Sequence, residues 1–312
     1  MSDSQLPVDS DNQPFVSVKA ILAGHLFLPY LEVFQDSIHL PATSGSRVPD
    51  FCFLINHPAH GQALFDLGLR KHAKGYPPAM KGTLHDFKAE CDEDVVDMLH
   101  KDGIEPEQIN QVIYSHLHFD HVGDPTPFTA AEIVLGADAQ TLLADSYPTN
   151  QDSYIQALPA NRKVTYLDFS VSASHKYKIV SPIGTFDRAI DFYDDGSLYF
   201  VDSPGHSPGH IAALARVAPN NFVFLAGDTC HNRECYVPGT RLISEENYAD
   251  LEVARETVTR LVRMNKEVHN VVTILAHEAE REQDMPQFPA DLKEWVVEEI
   301  QKRKAKTGSV EA

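Results

Sequence analysis

The chain has 312 residues, enough for one large domain or two ordinary ones and ample for a full hydrophobic core. Hydrophobic residues make up 43% and charged residues 23%, an ordinary globular balance far from disordered or membrane classes. With 45 acidic against 26 basic side chains the formal charge is −19, a repulsive background for any phosphate backbone, which argues against a nucleic-acid partner.

Residues 1–13 are polar and proline-punctuated and read as a disordered tail ahead of one domain over 14–305, with 306–312 as a flexible end. Met1–Pro7 lacks the basic and apolar regions of a secretory signal. No apolar run approaches the roughly 18 residues of a membrane span, so a cytoplasmic protein without a membrane partner is expected. Strand signals begin at Val16–Ile21, and Phe51–Ile55 with Ala63–Asp66 forms a hairpin across Asn56–Gly61. Asp92–Leu99 has the acidic first turn of a short helix closing at Gly103. Gln111–Tyr114 and Glu132–Leu135 are strands, Ala137–Ala144 a helix, and Tyr147–Ala160 an exposed loop. Further strands fall at Ala189–Tyr193, Ser197–Val201, Ile211–Val217, Phe222–Leu225 and Val271–Leu275, with helices over Ser244–Lys266 and Ala290–Lys304. Strands interspersed with helices in both halves, with no internal linker, make a single α/β domain. Cys52, Cys91, Cys230 and Cys235 show no CxxC pairing and are read as free thiols.

Ser115-His116-Leu117-His118-Phe119-Asp120-His121 packs three imidazoles and a carboxylate behind the Gln111–Tyr114 strand. In an extended segment His116 and His118 point the same way, and a tightening turn brings Asp120 and His121 round towards them, the makings of a metal site. Three more segments place a ligand type where a strand stops. These are His206 in Ser203-Pro204-Gly205-His206-Ser207-Pro208-Gly209-His210, Asp228 after Phe224–Gly227, and His277 after Thr273–Ala276. Strand ends along one sheet edge converge on one cleft. His25, His39, His57, His60, His72, His85, His100, His175 and His269 are read as ordinary surface or core residues.

These motifs, in this order, resemble the metallo-β-lactamase superfamily with its HxHxDH run, later PGH histidine, strand-end Asp and final His, and the resemblance covers roughly Phe15 to Glu278. It implies a four-layer αβ/βα sandwich with a dinuclear metal site at the sheet edges. Carried over, His116, His118 and His206 would hold one metal, Asp120, His121 and His277 the other, and Asp228 would bridge them. His210 and Asp66 would orient these ligands from behind. Two Zn²⁺ per chain are the expected cofactors, with Mn, Fe or Co also suited to such donors. A hydroxide shared by the two metals would attack an acyl carbonyl, with Asp120 orienting it and passing its proton to the leaving group.

His118 stands where the superfamily's redox members carry an acidic residue, which favours hydrolysis, and Asp228 stands where true zinc β-lactamases typically carry Cys. The chain looks most similar to the lactonase-like branch, including quorum-quenching N-acyl-homoserine-lactone lactonases. Many of those have a Tyr three residues after the bridging Asp; here that position is His231, either a catalytic hydrogen-bond donor or acid or a solvent-facing loop residue. The expected activity is opening of a small lactone or lactam, with acyl-thioester hydrolysis of the glyoxalase-II or polyketide-releasing kind as the alternative and a non-catalytic metal-binding module as a third reading. The expected partner is a small molecule bearing an acyl carbonyl. Leu26, Phe27, Pro29, Tyr30 and Tyr147–Tyr154 are candidate pocket walls or ordinary packing, and the protein is a monomer or a homodimer.

Overall fold

The computed structural model describes residues 5–170 and 177–308; residues 1–4, 171–176 (with His175) and 309–312 lie outside the described residues. One six-stranded sheet runs in chain order through β1 (Ser17–Pro29), β2 (Gly45–His57), β3 (Gly61–Phe65), β4 (Ile109–Ile113), β5 (Glu132–Gly136) and β6 (Val164–Leu167). The second comprises β7 (Lys178–Val180), β8 (Ala189–Asp191), β9 (Leu198–Asp202), β10 (Ile211–Ala218), β11 (Asn221–Leu225) and β12 (Val271–Ile274), laid out from β12 to β7.

Alternation along the strands sorts side chains into layers. Phe51, Phe53 and Ile55 of β2 join Phe65, Ile113 and Val134 in the space between the sheets, where they meet Phe200, Ala213, Val223 and Val272 of the second sheet. The intervening Cys52 and Leu54 face outward onto Val95 and Leu99 of the helix Val95–Lys101. On the other outer face Leu214, Phe222 and Phe224 pack on Ala254, Val258 and Leu261 of the helix Leu251–Glu267. Helix, sheet, sheet and helix form the expected four-layer α/β sandwich. Burial on both faces explains why β10 is buried along its whole length rather than alternating with exposed residues.

Strands β3 to β6 are mutually parallel, as are β11 and β12, so their C-terminal ends gather at one edge of the sandwich. Loops leaving these ends carry Asp66, the run Ser115–His121, Asp228 and His277, and the loop after β9 carries His206.

Three expectations are corrected. Residues 5–13 are not a disordered tail: Leu6 is buried in the core, and the fully buried Arg216 donates to the Asp9 carboxylate and, at 2.9 Å, to the Pro7 carbonyl. A buried guanidinium needs acceptors, and this segment provides them. The helix expected from Ser244 begins only at Leu251, capped by the Asp250 side chain accepting from the Val253 N–H at 3.1 Å. Such a cap is worth about 1 kcal/mol. Residues 244–250 instead bind the loop around His206: the Ala249 and Asp250 N–H groups donate to the His206 and Gly205 carbonyls at 3.0 and 2.9 Å. Gly205 makes this contact feasible, since a Cβ there would lie 2.4 Å from the Ala254 backbone. At the other end the last helix runs from Lys293 to Gly308, into the segment expected to be a flexible end.

Candidate metal centre

The strand-end residues converge into two groups. His116, His118 and His206 form one and Asp120, His121, Asp228 and His277 the other, the ligand atoms of each lying within 4.8 Å of one another. Asp228 faces both: its Oδ2 is 3.2 Å from His121 Nε2 and 3.5 Å from His206 Nε2, and its Oδ1 is 3.4 Å from His277 Nε2. Asp120 Oδ2 is 3.4 Å from His277 Nε2.

Four of the imidazoles, those of His116, His121, His206 and His277, are turned inward by a partner on the outer nitrogen. His206 Nδ1–H donates to the Asn247 carbonyl at 2.8 Å, and His277 Nδ1–H to the Pro49 carbonyl at 3.0 Å. Asp66, at φ 62 immediately after β3, accepts from His121 Nδ1–H at 2.9 Å and from the Ser115 hydroxyl at 2.7 Å, while the Ser115 oxygen lies 3.0 Å from His116 Nδ1. His210 donates from Nδ1 to the Ser203 carbonyl at 2.9 Å and accepts the Asp228 backbone N–H on Nε2 at 3.1 Å. Asp66 thus fixes the His121 ring, and His210 the backbone at Asp228, through hydrogen bonds. Glu278, fully buried next to His277, accepts from Tyr236 Oη at 2.9 Å and is ion-paired with Arg281, Nε to Oε1 at 3.1 Å, tying the His277 loop to the loop after Asp228.

The residues fit divalent metal. With their outer nitrogens committed as donors, His116 and His206 point Nε2 lone pairs at each other across 3.2 Å, and His118 Nδ1 lies 3.0 Å from His206 Nε2. Such a cluster repels unless a cation is shared. In the second group His121 Nε2, His277 Nε2 and Asp228 Oδ1 are buried without a hydrogen-bond partner, a costly condition that coordination removes. Burial and neighbouring imidazoles hold His116 and His206 well below the ordinary histidine value, the neutral form a ligand requires. Burial also opposes charge on His121 and His277, but Asp228 and its acidic neighbours outweigh it and raise both well above that value. One half is thus a neutral imidazole cage and the other a charge-paired carboxylate nest.

His231 is buried, which removes the solvent-facing reading. Its Nε2 lies 3.2 Å from Asp228 Oδ2 and its Nδ1 3.1 Å from Tyr248 Oη. Beside the centre opens a cavity of about 720 Å³ bounded by His118 and Asn247 on the metal side and by Met80, Phe87, Leu117, Phe119 and Ile155. Asn150, Asp152, Ser153 and Tyr154 of the expected exposed loop line it, whereas Leu26 and Tyr30 belong to the core cluster outside the second sheet. Sequence patterning missed Met80, Phe87, Asn247 and Tyr248: the first two lie between clear elements, and the last two were absorbed into an expected helix. The four cysteines are free and buried.

Residues 48–269 match the Metallo-beta-lactamase superfamily, and the chain belongs to it. It is 31% identical to the cytochrome P450 monooxygenase mpaDE of Penicillium roqueforti over 312 aligned positions, covering 90% of this chain but only 35% of that protein. A γ-lactamase of Gibberella moniliformis is 37% identical over 177 positions, 54% of this chain and 70% of the lactamase. An N-acyl homoserine lactonase of Bacillus cereus is 24% identical over 264 positions, 82% and 92% of the two chains. Among solved structures, a B. thuringiensis AiiA mutant with bound N-decanoyl-L-homoserine superposes with a TM-score of 0.64 at 22% identity, over 88% of this chain and 98% of that one, which establishes shared fold. Among the described residues no helix is long and apolar enough to cross a membrane.

Proposed function

We propose that this protein is a dinuclear metal-dependent hydrolase that opens a small cyclic ester or amide. The observation carrying this reading is the convergence of seven buried or half-buried donors on two groups that share Asp228, at the mouth of a largely apolar cavity. His116, His118 and His206 would hold one cation, Asp120, His121 and His277 the other, and Asp228 would serve both; zinc is the first candidate for such donors. When bound, a cation pair supplies an acidified water and a Lewis acid for the carbonyl.

The chain's own residues do the rest. Asp120 lies at the mouth of the second group, held against His277, where its carboxylate can take the proton from the attacking water and return it to the leaving oxygen or nitrogen. With Tyr248 fixing its Nδ1, His231 aims Nε2 at Asp228 on the same face and is placed to donate to the developing oxyanion or the leaving group. Phe87 and Phe119 exclude water from one wall and hold the apolar body of the substrate. The similarity to a γ-lactamase and to lactonases supports a cyclic substrate.

The test is a hydrolysis panel of N-acyl-homoserine lactones, benzoxazolinone-type γ-lactams and acyl thioesters, run with and without a chelator. Chelator-sensitive turnover of a lactone or lactam is expected, with Asp120→Asn keeping its metals and losing 10²–10⁴-fold in kcat. Turnover confined to thioesters would replace the ring-opening reading, and turnover unaffected by metal removal would end it.

A further inference from the structure

Asp50 is a carboxylate the proposed reaction does not use. It is fully buried, and neither side-chain oxygen has a hydrogen-bond partner. Burying an ionisable group unpaired costs several kcal/mol, so a carboxyl kept in this state calls for a partner that protein atoms do not supply.

Its place is fixed from both sides. Residue 49 carries the carbonyl that accepts His277 Nδ1–H at 3.0 Å, and the N–H of Phe51 donates to the Ala276 carbonyl at 3.0 Å. Asp50 therefore sits between the two residues that clamp the last ligand loop to β2. The β1–β2 register shifts between Leu22 and His25, directly opposite. On the far side is Gly68, at φ +65 in the loop after Asp66, where an added Cβ would lie 3.1 Å from Asp50 Oδ2. Burial pushes the Asp50 carboxyl well above the usual carboxylate range; His277 and His121 of the second group pull it back, and Asp120 and Asp228 add to the rise. The second group also holds buried atoms without hydrogen-bond partners, His121 Nε2, His277 Nε2 and Asp228 Oδ1.

We propose that Asp50 is a third anionic group of the second metal position, strengthening retention of that cation and biasing it towards an oxygen-preferring metal. The inference rests on the reading that Asp120, His121, His277 and Asp228 hold a metal, and needs nothing about the substrate. The asymmetry follows from charge. The first position has three neutral imidazoles and a share of Asp228, whereas the second has Asp120, the same share and the field of Asp50. Imidazole donors favour zinc, and carboxylates move the preference towards manganese. In the metal-free protein Asp50 is a liability, and a bound dication turns it into an asset.

The experiment compares wild type, Asp50→Asn and Asp50→Val as full chains. Metal content is measured against increasing chelator, and melting temperature with and without Zn²⁺ or Mn²⁺. In Asp50→Asn the second equivalent should leave at a chelator concentration at least tenfold lower, with the first unchanged and the Mn²⁺/Zn²⁺ ratio after equilibration against both metals reduced. The metal-free variant should melt higher than metal-free wild type, while the metal-induced rise in Tm shrinks. Equal release of both equivalents in variant and wild type, or a variant less stable without metal, would overturn the proposal. Wild type retaining only one metal would instead remove the two-metal reading beneath it. Should Asp50→Val fail to fold, Asp50→Asn alone decides.

Discussion

Two histidine–carboxylate clusters stand at opposite ends of this sandwich. At the C-terminal strand ends lies the seven-residue centre; at the other end, where β2 turns into β3, lie His57, His60 and Asp195, whose ligand atoms are also within 4.8 Å of one another. Composition and spacing do not separate them, but hydrogen bonding does. His57 Nδ1 accepts the N–H groups of Ala59 and His60 at 3.0 and 3.1 Å, its Nε2 faces Asp195 Oδ2 at 2.8 Å, and His60 stacks on Tyr193 at 4.4 Å. Those nitrogens are spent latching the β2–β3 turn to the β8–β9 turn. In the first cluster the inward nitrogens of His121 and His277 are buried and unpaired, and those of His116, His118 and His206 face one another. A metal centre is marked by donors that the protein has oriented and then left unsatisfied.

The strongest way to break this comparison is to delete one histidine from each end. His121→Ala should drop metal content towards one equivalent per chain and cut ring-opening by at least about 10³-fold, since it removes a ligand and strands Asp228. His57→Ala should leave metal content and rate unchanged while lowering stability by about 1–3 kcal/mol, the cost of unpaired turn N–H groups. Metal analysis with kcat on the same preparations checks both; metal loss in His57→Ala would erase the distinction.

Much of this was legible in the sequence because each ligand follows an apolar strand, where the side-chain period and the loop that follows are both visible. His116, His118, His121, His206, Asp228 and His277 were readable as candidates from spacing and strand-end position, and their grouping around two metals came from the family resemblance. Asp50 was not, because it falls just before the expected Phe51–Ile55 strand and outside every motif, and its isolation depends on β1 bulging opposite it. Tyr248 was hidden by helix propensity across Ser244–Lys266, overridden locally by hydrogen bonds to the Gly205–His206 loop. The short strands β6 and β7 were missed for want of an apolar run, and the docking of residues 5–13 is driven by Arg216, more than two hundred positions away.

Acid titration sharpens the contrast at intermediate size. Burial pushes His210, behind Asp228, down to about 4, whereas an unfolded chain protonates it near the ordinary value of 6.5. Its folded pKa is depressed, so its neutral form supports the fold above about pH 6.5, and that support is lost as pH falls towards 4. The 2.5-unit gap corresponds to about 3 kcal/mol of metal-free stability. Burial also lowers His57, but the facing Asp195 carboxylate offsets it, so the same loss is smaller there. Denaturant unfolding of metal-free protein between pH 7 and 4 should show the acid slope reduced more in His210→Gln than in His57→Gln.

The finest comparison pairs the tyrosines that touch each cluster. Tyr248 Oη meets His231 Nδ1 at 3.1 Å, while Tyr193 contributes its ring face to His60 and lies outside the metal end altogether. Removing the Tyr248 hydroxyl leaves His231 buried but free to change tautomer and ring orientation, so the donor on Nε2 is no longer assured. A single lost hydrogen bond of this kind is worth about 1–1.5 kcal/mol, roughly tenfold in rate. Tyr248→Phe should therefore lower kcat about tenfold with little change in KM or metal content, and Tyr193→Phe should leave all three as they are. A fall in KM-linked binding alone would assign Tyr248 to the pocket wall. An unchanged kcat in Tyr248→Phe, with His231→Ala also fully active, would take His231 out of the reaction and leave proton transfer to Asp120.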